Sequence, residues 1–210
     1  PHWRSLFKIL RKEKIDIGAD LEIWRLPVDR VFLEEFSKTF NLSTSSLSFV
    51  TYPKRVRALL GPLTDPYLNY DEGDFHRLVE GTTTNDISLR VWFTIGNPFE
   101  TVNDMFENLA LVRRALANNG KGRSRLAFYN TPVTISPGSP VFEDSRKFGI
   151  VLESRSFMDF YDLFKNTRFT LGEVDSVINY RTRFLSKRAI KFWNKAFTLA
   201  AVPFFLATSH

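Results

Sequence analysis

Apolar side chains along this chain recur with two periods, and the period switches several times. Trp3, Leu6, Phe7 and Leu10 fall at i, i+3, i+4 and i+7, which predicts a helix with one apolar face. After Gly18, Leu21-Glu22-Ile23-Trp24-Arg25 alternates and stops at Pro27, a short strand running into a turn. Asp29 stands where a helix cap belongs, ahead of Phe32, Leu33, Phe36 and Phe40 on one face. Alternation returns over Ser46–Thr51, followed by helical pieces around Arg55–Leu60 and from about Asp74 to Glu80. Ser88–Ile95, rich in β-branched and aromatic residues, is the clearest strand. It runs through Gly96-Asn97-Pro98 into a helix from Thr101 to about Asn118. Thr101 and Asp104 form a capping box there, Met105, Leu109, Val112 and Leu116 a stripe, and Gly120 the stop. Arg125–Tyr129 is the fourth strand.

Strand centres near residues 23, 48, 92 and 127 are spaced by about 25 to 45, close to the roughly 30 residues of one β/α unit of a barrel. The expected class is α/β, a partial (β/α) TIM-like barrel over residues 1–150. A doubly wound sheet would alternate similarly, and four strands cannot close a barrel alone. Beyond Ile150 the pattern changes to Phe157-Met158-Asp159-Phe160-Tyr161 and a polar stretch. A helix capped by Ser186 follows, with Ile190, Trp193, Phe197 and Ala201 on one face, so residues 151–210 are expected to be a helical C-terminal extension.

The 210 residues are 43% hydrophobic and 25% charged, enough to bury a sizeable core. The chain contains no cysteine, which excludes disulfides, thiolate zinc, a cysteine nucleophile and any cysteine-ligated cluster built from these residues; a reducing cytoplasm is compatible with that. The first residue, Pro1, is expected to lie inside a longer protein. Net charge is +6, and Arg181, Arg183, Lys187, Arg188, Lys191 and Lys195 face no acidic residue from Ser176 onward. That end could attract phosphate or anionic lipid, or be an ordinary solvated helix face. The apolar run Ala196–Ala207, broken by Pro203, is too short to span a bilayer.

No dinucleotide fingerprint, Walker loop, nucleophile elbow or paired-histidine motif occurs. Gly120-Lys121-Gly122-Arg123-Ser124 follows a helix and reads as a turn; His2, His76 and His210 are scattered; Glu34-Glu35 and Asp71-Glu72-Asp74 read as solvated charge, the latter in a loop. The informative stretch is Val91-Trp92-Phe93-Thr94-Ile95-Gly96-Asn97-Pro98-Phe99-Glu100-Thr101, because parallel α/β proteins place sites at the carboxyl ends of strands. By its residues it is either a β/α turn or a binding loop.

This stretch resembles the strand-five signature of radical S-adenosylmethionine (SAM) enzymes, Phe-x-Ile-Gly-x-Pro-Gly-Glu-Thr, with Phe99 in place of the second glycine. Pro137-Gly138-Ser139-Pro140-Val141-Phe142-Glu143 with Lys147-Phe148-Gly149-Ile150 is similar to the element after strand six. Asn179-Tyr180-Arg181-Thr182 with Ser186-Lys187 resembles a segment of cobalamin-binding-domain radical SAM proteins, Arg181 replacing a glutamate. Leu21–Arg25 resembles the strand-three region. Ser48-Phe49-Val50-Thr51-Tyr52-Pro53-Lys54-Arg55-Val56-Arg57 resembles strand four, with Val50 where the family has glutamate.

The resemblance implies strands three to six of a radical SAM barrel, with the Cys-x-x-x-Cys-x-x-Cys loop that holds a [4Fe–4S] cluster lying in an N-terminal part of the same protein. It implies SAM as cofactor, leaves cobalamin as an option, and implies a small-molecule substrate, a cytoplasmic location and no nucleic-acid partner. Arg25, Thr51, Ile95, Gly96, Phe128 and Asn130 are the expected SAM or substrate contacts; Pro98, Glu100 and Thr101 are expected to hold the turn. No catalytic acid, base or nucleophile and no metal ligand is expected in this chain. Two other readings stand beside this one: a cluster-free barrel used as a binding module, and a basic protein that associates with membranes through residues 181–207.

Overall fold

The computed structural model describes residues 2–64, 70–118, 126–165 and 177–207. The expected turn at Gly120–Ser124, the strand start at Arg125 and His210 lie outside them. In chain order the elements are α1 (His2–Lys12), β1 (Ala19–Ile23), α2 (Arg30–Thr39), β2 (Ser43–Val50), α3 (Lys54–Thr64), α4 (Glu72–Thr84) and β3 (Ser88–Ile95). There follow α5 (Val102–Asn118), β4 (Leu126–Pro132), α6 (Pro140–Glu143), β5 (Ile150–Leu152), α7 (Phe157–Lys165), β6 (Tyr180–Thr182) and α8 (Lys187–Ala207).

The first four strands form one parallel sheet in the order β1-β2-β3-β4, each strand beside its predecessor in sequence and joined to it through helices. This is a mixed α/β fold whose parallel sheet is flanked by helices. The sheet is open, with β1 and β4 at its edges, and Pro132 ends β4 where a missing N–H costs no ladder bond.

Side-chain alternation divides the sheet into two unlike faces. Ile23, Leu47, Phe49, Leu89, Val91, Phe93, Ile95, Leu126 and Phe128 are buried against the helices. Full burial of each such side chain contributes about 2–3 kcal/mol. Asp20, Glu22, Thr44, Ser46, Ser48, Arg90, Trp92, Thr94, Ala127, Tyr129 and Thr131 alternate with them and remain wholly or partly accessible. Parallel sheets are normally buried on both faces, whereas the described residues leave the polar face of this one accessible.

The helix starts follow their caps. Asp29 accepts from Val31 N, Ser186 Oγ from Ala189 N, and Asp104 accepts from both the amide and the hydroxyl of Thr101. Asp71-Glu72-Asp74 is not a solvated loop: Asp71 caps α4, and Asp71 and Asp74 form a reciprocal capping box that draws the helix start back to Glu72. β2 likewise starts earlier than its own sequence predicts, at Ser43, because Thr44 and Ser45 have partners on both β1 and β3.

The region after 150 is not all helix. Ile150–Leu152 pairs antiparallel with Tyr180–Thr182, a ladder that straddles the expected boundary at residue 150. α8 lies on β4 and β3 beside α5, with Ile190, Trp193, Phe197 and Ala201 buried as their spacing predicts. The C-terminal helix is thus part of the layer covering the sheet.

Candidate functional site

At the carboxyl end of β3 the chain turns through Gly96, whose φ of +83° suits glycine. The fully buried Glu100 carboxylate latches this turn. One oxygen accepts from Gly96 N at 2.9 Å and Asn97 N at 2.8 Å, and the other from Asn97 Nδ2 at 2.9 Å. Thr51, just beyond the end of β2, also favours the ionised form of this carboxyl. Burial nevertheless pushes the Glu100 pKa up to about 7, against the opposing pull of these bonds. On the far side the Tyr180 hydroxyl donates to Gly96 O at 2.8 Å, and burial raises that phenol above its ordinary value. Arg55 pairs with the buried Asp104 and donates to Phe99 O at 2.8 Å, tying the turn to α3.

Phe99 sits in this turn at φ +69°, and Val50, at the end of β2, at φ +59°. Left-handed backbone costs a side-chain-bearing residue about 1–2 kcal/mol. The position where the radical SAM signature has its second glycine therefore has a glycine conformation here, even though it carries phenylalanine.

The expected contact residues separate into groups. Thr51, Gly96 and Glu100 come together, with Pro98 buried beside them and Thr101 capping α5. Arg25 is exposed beyond the end of β1. Ile95, Phe128 and Asn130 do not open on the polar face. Ile95 and Phe128 are buried under the helices, and Asn130 Nδ2 donates to Asn194 of α8, 2.8 Å to its carbonyl and 2.6 Å to its side-chain oxygen. The register pairing Phe93 with Asn130 turns both toward the helices. Nor is the space behind Gly96 open: a Cβ there would meet the Tyr180 hydroxyl at 2.7 Å and Ile190 Cγ2 at 2.9 Å.

A second set of accessible polar groups lies on the polar sheet face. Asp20, Glu22, Ser46, Ser48 and Trp92 line a hollow of about 380 Å³. The small hydroxyls of β2 leave the space, and Trp92 walls it, stacked on Tyr129 with ring centroids 4.6 Å apart. Arg90 pairs with Asp20 and holds its carboxyl below the usual carboxylate range, while Arg90 Nε is buried with no partner among the described residues. Such a wall can receive a polar, partly planar molecule. Among the described residues no group of His, Asp and Glu is placed to hold a metal ion.

Sequence reasoning missed this face. Its signal was present in the alternation of Asp20 and Glu22 along β1 and of Thr44, Ser46 and Ser48 along β2. Asn108 and Tyr70, which support the end of β2, carried no local signal, and Tyr180 stood out only as part of the Asn179–Thr182 segment, not as a support of the turn. No family model matches the chain, and no curated protein matches it.

Proposed function

We propose that the chain is the C-terminal part of the barrel of a radical SAM enzyme, an enzyme that reductively cleaves SAM at a [4Fe–4S] cluster to generate a 5′-deoxyadenosyl radical. The observation that carries this reading is the turn after β3. Its Gly96, Glu100 and Thr101 each hold the turn or cap the helix after it, and its one departure from the signature, Phe99, occupies a glycine conformation. The parallel sheet in sequential order with one polar face supports it further, since a barrel wall has helices outside and polar ligand contacts inside.

The residues present do not fit the cluster, because the chain has no cysteine. Nor do Ile95, Phe128 and Asn130 offer side chains to SAM, being turned to the helices. The chain's contribution on this reading is a wall: the latched turn fixes the carboxyl end of β3, and Glu22, Ser46, Ser48, Trp92 and Arg90 face the small-molecule substrate. The N-terminal part of the same protein would supply the cysteine loop and the strand that pairs with the free edge of β1. A cytoplasmic location goes with this reading.

Val50, in place of the family's glutamate, favours one alternative, a cluster-free relative that keeps the barrel as a binding module. The coding sequence upstream of Pro1 separates the two. A Cys-x-x-x-Cys-x-x-Cys loop in frame supports the enzyme, and its absence over the length of two β/α units overturns it.

A further inference from the structure

The outer surface of α8 interleaves exposed apolar with basic residues. Its inner face, Ile190, Trp193, Phe197 and Ala201, is satisfied by the sheet. On the opposite face Arg188, Phe192, Lys195 and Leu199 follow at i, i+4, i+7 and i+11, all exposed, Phe192 to 63% and Leu199 to 70%. The apolar surface continues onto α5. Phe106, 58% exposed, meets Trp193 edge-on at 5.0 Å, Phe192 meets the same indole at 5.4 Å, and Val102 lies one turn before Phe106. No acidic residue occurs between Val177 and the end of α8.

We propose that this α5/α8 face docks on an anionic lipid surface, an interaction independent of the radical SAM reading. Exposed phenylalanines and a leucine interleaved with arginine and lysine suit the headgroup boundary, where rings and aliphatic tips enter the acyl edge and cations meet lipid phosphates and carboxylates. Leu199 and Val102 favour lipid over nucleic acid, whose phosphates reward the cations but not the aliphatic side chains. No described helix is long and apolar enough to cross a membrane. α8 is moreover pinned to β4 along its inner face, so the helix lies on the surface in the plane of the bilayer.

Flotation of the full 210-residue chain with vesicles tests this, because flotation separates bound protein from aggregates. The chain should float with phosphatidylcholine vesicles containing about 30% phosphatidylserine, much less with pure phosphatidylcholine, and less as salt is raised. Arg188→Ala and Lys195→Ala should each weaken binding about fivefold. Phe192→Ser with Leu199→Ser should weaken it at least tenfold while thermal melting falls only slightly, since Phe192 gives up its edge contact with Trp193 and neither side chain is buried. Leu42→Ser, an exposed apolar residue outside this face, should change nothing. Binding that ignores lipid charge, outward variants that float like the parent, or an affinity for a single-stranded oligonucleotide in place of vesicles would each overturn the proposal.

Discussion

Replacing Gly96 with alanine tests the turn after β3 at its tightest point. Two costs are legible. Alanine at φ +83° carries the left-handed penalty of about 1–2 kcal/mol. Its Cβ would also stand 2.7 Å from the Tyr180 hydroxyl and 2.9 Å from Ile190 Cγ2, an overpacking of a buried seam that costs about 1–3 kcal/mol. The sum, about 2–5 kcal/mol, corresponds to a fall in Tm of about 4–20 °C for a chain of this size. Circular dichroism melts and urea titrations of the parent, Gly96→Ala, Tyr180→Phe and the double variant measure it as a cycle. Tyr180→Phe alone loses the bond to Gly96 O, about 1 kcal/mol, but removes the nearest clashing atom, so Gly96→Ala should cost less in that background than in the parent. A Gly96→Ala protein that melts with the parent, or that costs the same in both backgrounds, would refute the packing described for this turn.

Three further outcomes are expected. Glu100 keeps its proton up to about pH 7 when folded but ionises near 4.5 when unfolded, so its contribution is complete below 4.5 and is lost as pH rises through 7. Urea titrations should show on the order of 3 kcal/mol of this loss, absent from Glu100→Gln. Lys14 follows α1 at φ +50°, with Ile15 N bonded to Leu10 O and Lys14 N to Arg11 O, the pattern of a glycine-favouring helix end; Lys14→Gly should raise stability by about 1 kcal/mol, and a lower melting point would contradict it. Asp71→Ala removes one half of the α4 capping box and should cost about 1 kcal/mol by the same titration, with no effect meaning that the cap does not hold the helix start.

The elements with strong local signals were legible in the sequence. β3 and α5 lie within a residue of where eight strand-forming positions and a Thr-x-x-Asp box put them. α8 buries the four residues its spacing selects. β5 and β6, three residues each, exist only through pairing between segments about thirty residues apart, and no local pattern announces them. Thr51 and Glu100 could be placed at strand ends, but their contact depends on the register between β2 and β3. The facing of Phe128 and Asn130 depended on tertiary packing: β4 lies at the edge of the sheet, and α8, arriving from the far end of the chain, claims the side on which Asn130 stands. Polar alternation along β1 and β2 was visible throughout; which face a parallel sheet leaves uncovered was not, because that depends on where every helix lands.

Reductive cleavage of SAM by the protein expressed together with the region encoded upstream of Pro1 tests the central claim most directly. After anaerobic reconstitution with iron and sulfide and addition of dithionite, the account predicts a cysteine-bound [4Fe–4S] cluster and formation of 5′-deoxyadenosine and methionine. The 210-residue chain alone should form neither, having no cysteine. An extended, folded protein that holds no cluster and leaves SAM intact would contradict the assignment.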